Sequence, residues 1–145
     1  MSPRDLDTQI VLRRLLAMDD LLRVLERLDP ADDDAVTHLA LERILTQLVD
    51  LAGDINGHVA GVTLGRAPGS TRESFVLAAD AGLITHEAAE VLTPSVGLGN
   101  VLVHEYEYEY VDVDRSRVVA AAPMALTAYR GYVDAVREWL SVEGR

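Results

Sequence analysis

Apolar residues recur near the start of the chain at spacings of four and three: Val11, Leu15, Met18, Leu22 and Leu25, with Leu12, Leu21 and Leu28 widening the stripe. That period predicts an amphipathic helix over about residues 5–28, with arginines and acids on its other face. Asp29-Pro30 ends it. Asp32, Asp33 and Asp34 then offer N-cap oxygens and a charge that favours the next helix dipole. The second stripe is longer. Leu41, Ile44, Leu48, Leu51, Ile55, Val59 and Val62 keep the period to about residue 63. The stretch GRAPGS, residues 65–70, reads as a loop. Ser70 followed by Glu73 forms a capping box, so SFVLAAD belongs to a short third helix that Gly82 closes.

Thr85 caps a fourth helix through HEAAEVL. Thr93-Pro94 has the form of a fresh N-cap with proline at the first helical position. The chain is therefore expected to restart or kink there, then run on through VGLGNVLVHEY. The segment EYEYEYVDVD alternates as a strand does, but no partner strand is recognisable elsewhere. It is read as a helix end followed by an extended connector. Asp114 caps the last helix, whose stripe is Val118, Ala122, Leu126, Tyr129, Val133, Val136 and Leu140, with Pro123 bending its start. These elements make one domain over residues 1–145, an all-α antiparallel bundle of four to five helices.

Composition narrows the chemistry. The chain is 49% hydrophobic but only 5% aromatic, so its core is built of Leu, Val, Ile and Ala, as in helical bundles. With no cysteine, disulfides and thiolate metal sites are excluded, and a cytoplasmic location is expected. No apolar run approaches the roughly 18–20 residues of a membrane span, and the first residues lack the apolar core of a signal peptide. All 13 basic residues are arginine, and the net charge is −11. That balance argues against DNA or broad nucleic-acid binding, which needs clustered cations. It leaves room for a small site that holds a few nucleotides.

Most polar residues have ordinary structural readings. His58, between Ile55 and Val62, reads as a core histidine satisfied by one hydrogen bond. His38 and His86 stand near helix starts, where solvation is expected. His86, Glu87 and Glu90 hint at a carboxylate metal site. A di-metal bundle needs Glu-x-x-His pairs on further helices, and none occurs, so no metal or other cofactor is expected. Glu105, Glu107 and Glu109 read as a solvated edge.

One motif goes further. GLGNVLVHEY, residues 97–106, resembles the signature of the HEPN-domain ribonuclease toxins of the HepT type, Arg-x-x-x-x-His-x-Tyr. Asn100, Val101, Leu102, Val103, His104, Glu105 and Tyr106 follow it. The resemblance extends to LERILTQLVDLAGDINGHVAG in the second helix and to the phasing of the third and last helices. It implies a HEPN-type bundle and metal-independent endoribonuclease activity, with His104 as the acid–base residue. Asn100, four residues earlier, would orient the imidazole or hold phosphate, or else form a helix–helix hydrogen bond. Gly99 stands where the family has its arginine. Glycine inside a helix costs about 0.5–1 kcal/mol relative to alanine, and neither close packing nor a kink is evident from the sequence to explain it. Gly99 is therefore read as a lost catalytic arginine, and RNA cleavage is expected to be impaired. Arg66, Arg72 or Arg115 could approach the phosphate from a loop or a neighbouring helix, with nothing in the sequence to fix them there.

Positions 99 and 104 are separated by about 140° around a straight helix. One helix thus presents both poorly to one phosphate, whereas two copies across a two-fold axis solve this. The family's composite sites at homodimer interfaces imply the same. The resemblance also implies a partner, an MNT-type nucleotidyltransferase antitoxin that places AMP on Tyr106, with Tyr108 and Tyr110 out of register. The alternative is a non-catalytic HEPN module that binds a nucleotidyltransferase.

Overall fold

A computed structural model describes residues 6–108 and 115–142, with side-chain detail over 6–100 and 116–142. Five helices lie among the described residues: α1 (Thr8–Arg27), α2 (Ala35–Leu64), α3 (Thr71–Asp80), α4 (His86–Tyr108) and α5 (Arg115–Val142). No strand occurs among the described residues. The caps follow from side-chain chemistry. Asp7 accepts from the amides of Gln9 and Ile10, and Asp34 from Val36, as the first turns of α1 and α2 require. Asp29 and Asp32 hold the turn between them by accepting from Ala31 and Asp34. Gly65 ends α2 at φ +66°, and its amide and that of Arg66 bond back to Gly61 and Ala60. Ser70 Oγ accepts from the Glu73 amide at 3.0 Å, and Gly82 closes the turn after α3 at φ +81°. Thr85 Oγ1 accepts from Ala88 to open α4.

Of the restart or kink expected at Thr93-Pro94, the restart does not occur, because α4 runs on through Pro94. Proline removes one amide donor, and its acceptor on exposed Glu90 can turn to water. Thr93 and Ser95 instead donate back into the helix, to Ala89 O at 2.7 Å and Leu92 O at 2.6 Å. The alternating segment is helical as far as Tyr108, and both the connector after it and the Asp114 cap lie outside the described residues.

Helix α2 packs against all four others. Its neighbours are fixed in direction by polar pairs: Arg14–Asp54 at 3.3 Å joins α1 to α2, while Arg130–Glu26 at 2.7 Å and Arg137–Asp19 join α5 to α1. With the Asp7–His58 hydrogen bond at the start of α1, residue numbers run opposite ways between α1 and α2, as they do between α1 and α5, so these helices are antiparallel. All five stripe residues of α1 are buried, as are Leu41, Ile44, Leu48, Ile55 and Val59 of α2. Leu51 and Val62 are half-buried.

A polar chain crosses this core. Tyr132 donates its hydroxyl to Asn56 Oδ1 at 2.7 Å, with Ala52 O also 3.2 Å away. Asn56 Nδ2 donates to Ser74 Oγ at 3.3 Å, and Ser74 in turn donates to Thr71 O at 2.6 Å. Asn56 and Tyr132 are buried, so each bond replaces one that water would have made. Phe75 and Tyr129 meet Tyr132 edge-on, with ring centroids 6.3 Å apart in each pair.

Tyr132→Phe keeps the ring and leaves Asn56 Oδ1 without its donor. It is expected to cost about 1–3 kcal/mol, read as a lower urea midpoint with an unchanged slope. A second expectation concerns alkali. Burial pushes the Tyr129 hydroxyl up to about 12, with the Ser95 hydrogen bond opposing and Asp50 adding to the rise. Tyr132 is raised for the same reason, burial. The unfolded chain ionises first, so stability is intact below about pH 10 and falls progressively from there toward 12. Urea titrations at pH 8 and pH 11 should show the loss, and Tyr129→Phe should reduce it.

Candidate functional site

The motif lies on the last three turns of α4, and the unbroken helix fixes its register. Val96 and Leu92 face the core. Gly99 belongs to the same side. It is buried, and a Cβ built on it would meet Val49 Cγ2 at 3.8 Å and Val49 Cβ at 4.0 Å. Close packing against α2 is therefore a structural reason for a small residue that the sequence did not show. A Cβ fits there at ordinary contact distance, but a longer side chain must pass Val49 to reach water.

Asn100 points the other way and is exposed. It makes no hydrogen bond among the described residues, so the helix–helix bond weighed for it is not formed there. Positions 104 and 106 are in the described helix, whereas the side chains of His104 and Tyr106 lie outside the described residues. Counting at 100° per residue, position 104 lies about 140° from Gly99 and about 40° from Asn100. Position 106 returns to within about 20° of Gly99. The helix thus separates the motif's glycine position from its histidine position.

A cation stands on the histidine side. Arg72, in the first turn of α3, brings Nη2 to 3.8 Å from where a Cβ on Gly97 would lie. Position 97 is seven residues before 104, two turns along the same face. Arg72 is exposed, and no carboxylate pairs with it among the described residues. Sequence reasoning named Arg72 only among several arginines. The available signal was a cation in a helix's first turn together with a glycine one heptad before the motif histidine.

The other histidines have structural partners. His58 Nε2 accepts from the Asp7 amide at 2.9 Å, so it has the single hydrogen bond expected of it, though it is half-buried rather than deep in the core. His38 is not solvated as its place near a helix start suggested. It is 3.0 Å from Oε1 of the buried Glu42, one turn on. His86 is exposed and 3.0 Å from Asp80. No group of three or more metal-ligating side chains occurs among the described residues.

A cavity of about 340 Å³ opens on the far side of α4, between it and α5, lined by Pro94, Leu98, Arg117, Met124 and Tyr129. Its lining is mostly apolar, and the Tyr129 hydroxyl is engaged by Ser95 at 2.6 Å. With its ionisation pushed up to about 12, Tyr129 remains a neutral phenol at neutral pH rather than a nucleophile.

Comparison with known proteins identifies the family and the fold. The chain is 30% identical over 125 residues to the tRNA nuclease HepT of Aphanizomenon flos-aquae (strain 2012/KM1/D3), covering 86% of this chain and 76% of that protein. Among solved structures it resembles Bacillus subtilis YutE, a cytosolic protein of unknown function, with a TM-score of 0.82 and 19% identity over 95% of this chain and 93% of that one. It also resembles a tri-AMPylated Shewanella oneidensis HEPN toxin in complex with an MNT antitoxin, with a TM-score of 0.75 and 20% identity over 89% of this chain and 97% of that one. The sequence profile described as ribonuclease HepT-like matches residues 14–136, nearly the whole bundle, and the chain belongs to that family.

Proposed function

We propose that this chain is the toxin of a HepT/MNT toxin–antitoxin pair, a metal-independent endoribonuclease acting through His104. The family match across residues 14–136, spanning the motif helix α4, carries this reading. The chemistry needs no metal. A ribose 2′-oxygen attacks the adjacent phosphorus, the bond to the leaving 5′-oxygen breaks, and a 2′,3′-cyclic phosphate and a 5′-hydroxyl result. The 2′-hydroxyl loses a proton and the leaving oxygen gains one. A histidine with an ordinary pKa near 6.5 suits that exchange at neutral pH. Asn100, exposed and about 40° around the helix from position 104, is placed to hold a phosphate oxygen or the imidazole. Because one helix holds positions 99 and 104 on different sides, a symmetric homodimer is the arrangement that completes the site. A tRNA is the substrate to test first, since the Aphanizomenon flos-aquae relative is named a tRNA nuclease.

Gly99 weakens the site, because a missing transition-state donor commonly costs about 10²–10³ in rate. Slow tRNA cleavage in EDTA is expected, by a particle that sediments as two chains. His104→Ala should abolish it. Gly99→Arg should raise the rate by about 10²-fold, and the double variant should be inactive. The burial of position 99 makes the helix-propensity gain of this substitution smaller than an exposed site would give. A folded, dimeric Gly99→Arg protein that cuts no RNA would replace the ribonuclease reading with that of a non-catalytic module binding a nucleotidyltransferase.

The structural likeness to a tri-AMPylated toxin bound to an MNT antitoxin supports a matching partner here. In the proposed transfer, the Tyr106 oxygen attacks the α-phosphorus of ATP, pyrophosphate leaves, and the phenol proton is lost. The added phosphate would repel RNA. Peptide mapping after incubation with ATP and the cognate antitoxin should place the first AMP on Tyr106. An adduct of equal yield in Tyr106→Phe would move the assignment to Tyr108 or Tyr110.

A further inference from the structure

We propose that Arg72 is the phosphate-binding cation of this chain's RNA site, reaching from α3 to the face of α4 that carries position 104. The inference rests on the ribonuclease reading and adds a residue outside the motif. Its starting point is placement. The guanidinium lies over the bare backbone at Gly97, with Nη2 3.8 Å from a Cβ built there. Positions 97 and 104 are two turns apart on one unbroken helix, separated by about 20° in direction and about 10 Å along the axis. Exposed Asn100 lies between them. The guanidinium already stands over Gly97, so the distance on to position 104 is for the RNA strand to span.

No structural role accounts for an arginine at position 72. It is exposed, so it contributes little to the core. No acid pairs with it among the described residues, although the chain carries a net charge of −11. Its neighbour Glu73 turns back over Gly69, with Oε2 3.3 Å from a Cβ built there. A cation in the first turn of a helix also opposes the helix dipole. Among the described residues the group thus has no partner, at some cost to α3, on the side of α4 where RNA would lie. Gly97 keeps the space open, since a side chain longer than alanine would enter the volume the guanidinium occupies.

Gly99 cannot provide this contact. It has no side chain, and its position is turned to Val49, about 140° from position 104. An arginine fork at 72 matches a phosphate's paired oxygens and keeps its charge at any working pH. Arg72 would therefore hold the phosphate beside the scissile one and support the residual cleavage expected of the Gly99 chain.

The test measures binding and cleavage separately on the full-length protein. A fluorescein-labelled single-stranded RNA oligonucleotide is titrated by anisotropy across a salt series, and its cleavage is followed in EDTA. Arg72→Gln is expected to weaken binding about 10-fold and to lower the salt slope by about 0.7, the value for one phosphate contact on a single strand. Arg72→Lys should retain the slope with weaker binding. Arg23→Gln removes the same charge from an exposed pair on α1 and should change neither. His104→Ala should bind as the parent does but not cleave. Arg72→Gln should melt no lower than the parent, which excludes a folding defect. If Arg72→Gln binds like the parent, or loses no more than Arg23→Gln, the Arg72 inference is overturned, while cleavage that depends on His104 leaves the ribonuclease reading standing. If neither the parent nor Gly99→Arg binds or cuts RNA, both fall.

Discussion

The bundle depends on α2 being enclosed. A helix packed against four neighbours can keep a polar side chain at its centre only if every polar atom finds a partner. Asn56 meets that condition by using its oxygen on Tyr132 and its nitrogen on Ser74. Those two bonds tie α5 and α3 to the same residue and set how each lies on α2. Apolar contacts alone would tolerate small slides of one helix over another, whereas a buried amide does not. In α3, ten residues long, the Ser74 bond stands beside the buried Phe75, Leu77, Ala78 and Ala79, and together they seat the helix whose first turn carries Arg72.

The helices were legible because the rules that form them are local. A period of 3.6 and the presence of Ser, Asp and Gly at the ends identified α2 and α3 nearly to the residue, whereas α1 starts three residues later than its stripe suggested, where Asp7 caps it. The same local rules left α4 open between a restart and a kink, and the restart is the one that fails. Thr93-Pro94 has the chemistry of a helix start, yet the turns on both sides were already helical and packed, and one missing amide bond did not outweigh them. His38 was misplaced for a related reason. A histidine near a helix start looks solvated until a buried glutamate one turn away is recognised as its partner.

The candidate site was only partly legible. The motif identified the helix and its histidine because its spacing is a property of the chain. What Gly99 faces is a property of packing, and only the approach of Val49 shows that the position is enclosed. The Arg72–Gly97 contact joins residues 25 apart in sequence, so no local pattern reports it. Sequence could name the arginine but not its address.

Pro94 has a consequence for the turns that follow it. The stretch that carries the motif begins just past the one point in α4 where a main-chain rung is missing, and Ser95, next to that gap, is clasped by Tyr129 of α5. The helix is thus one hydrogen bond short just before the motif, and the contacts of Ser95 with Tyr129, of Val96 with the core and of Gly99 with Val49 are what seat the turns that follow.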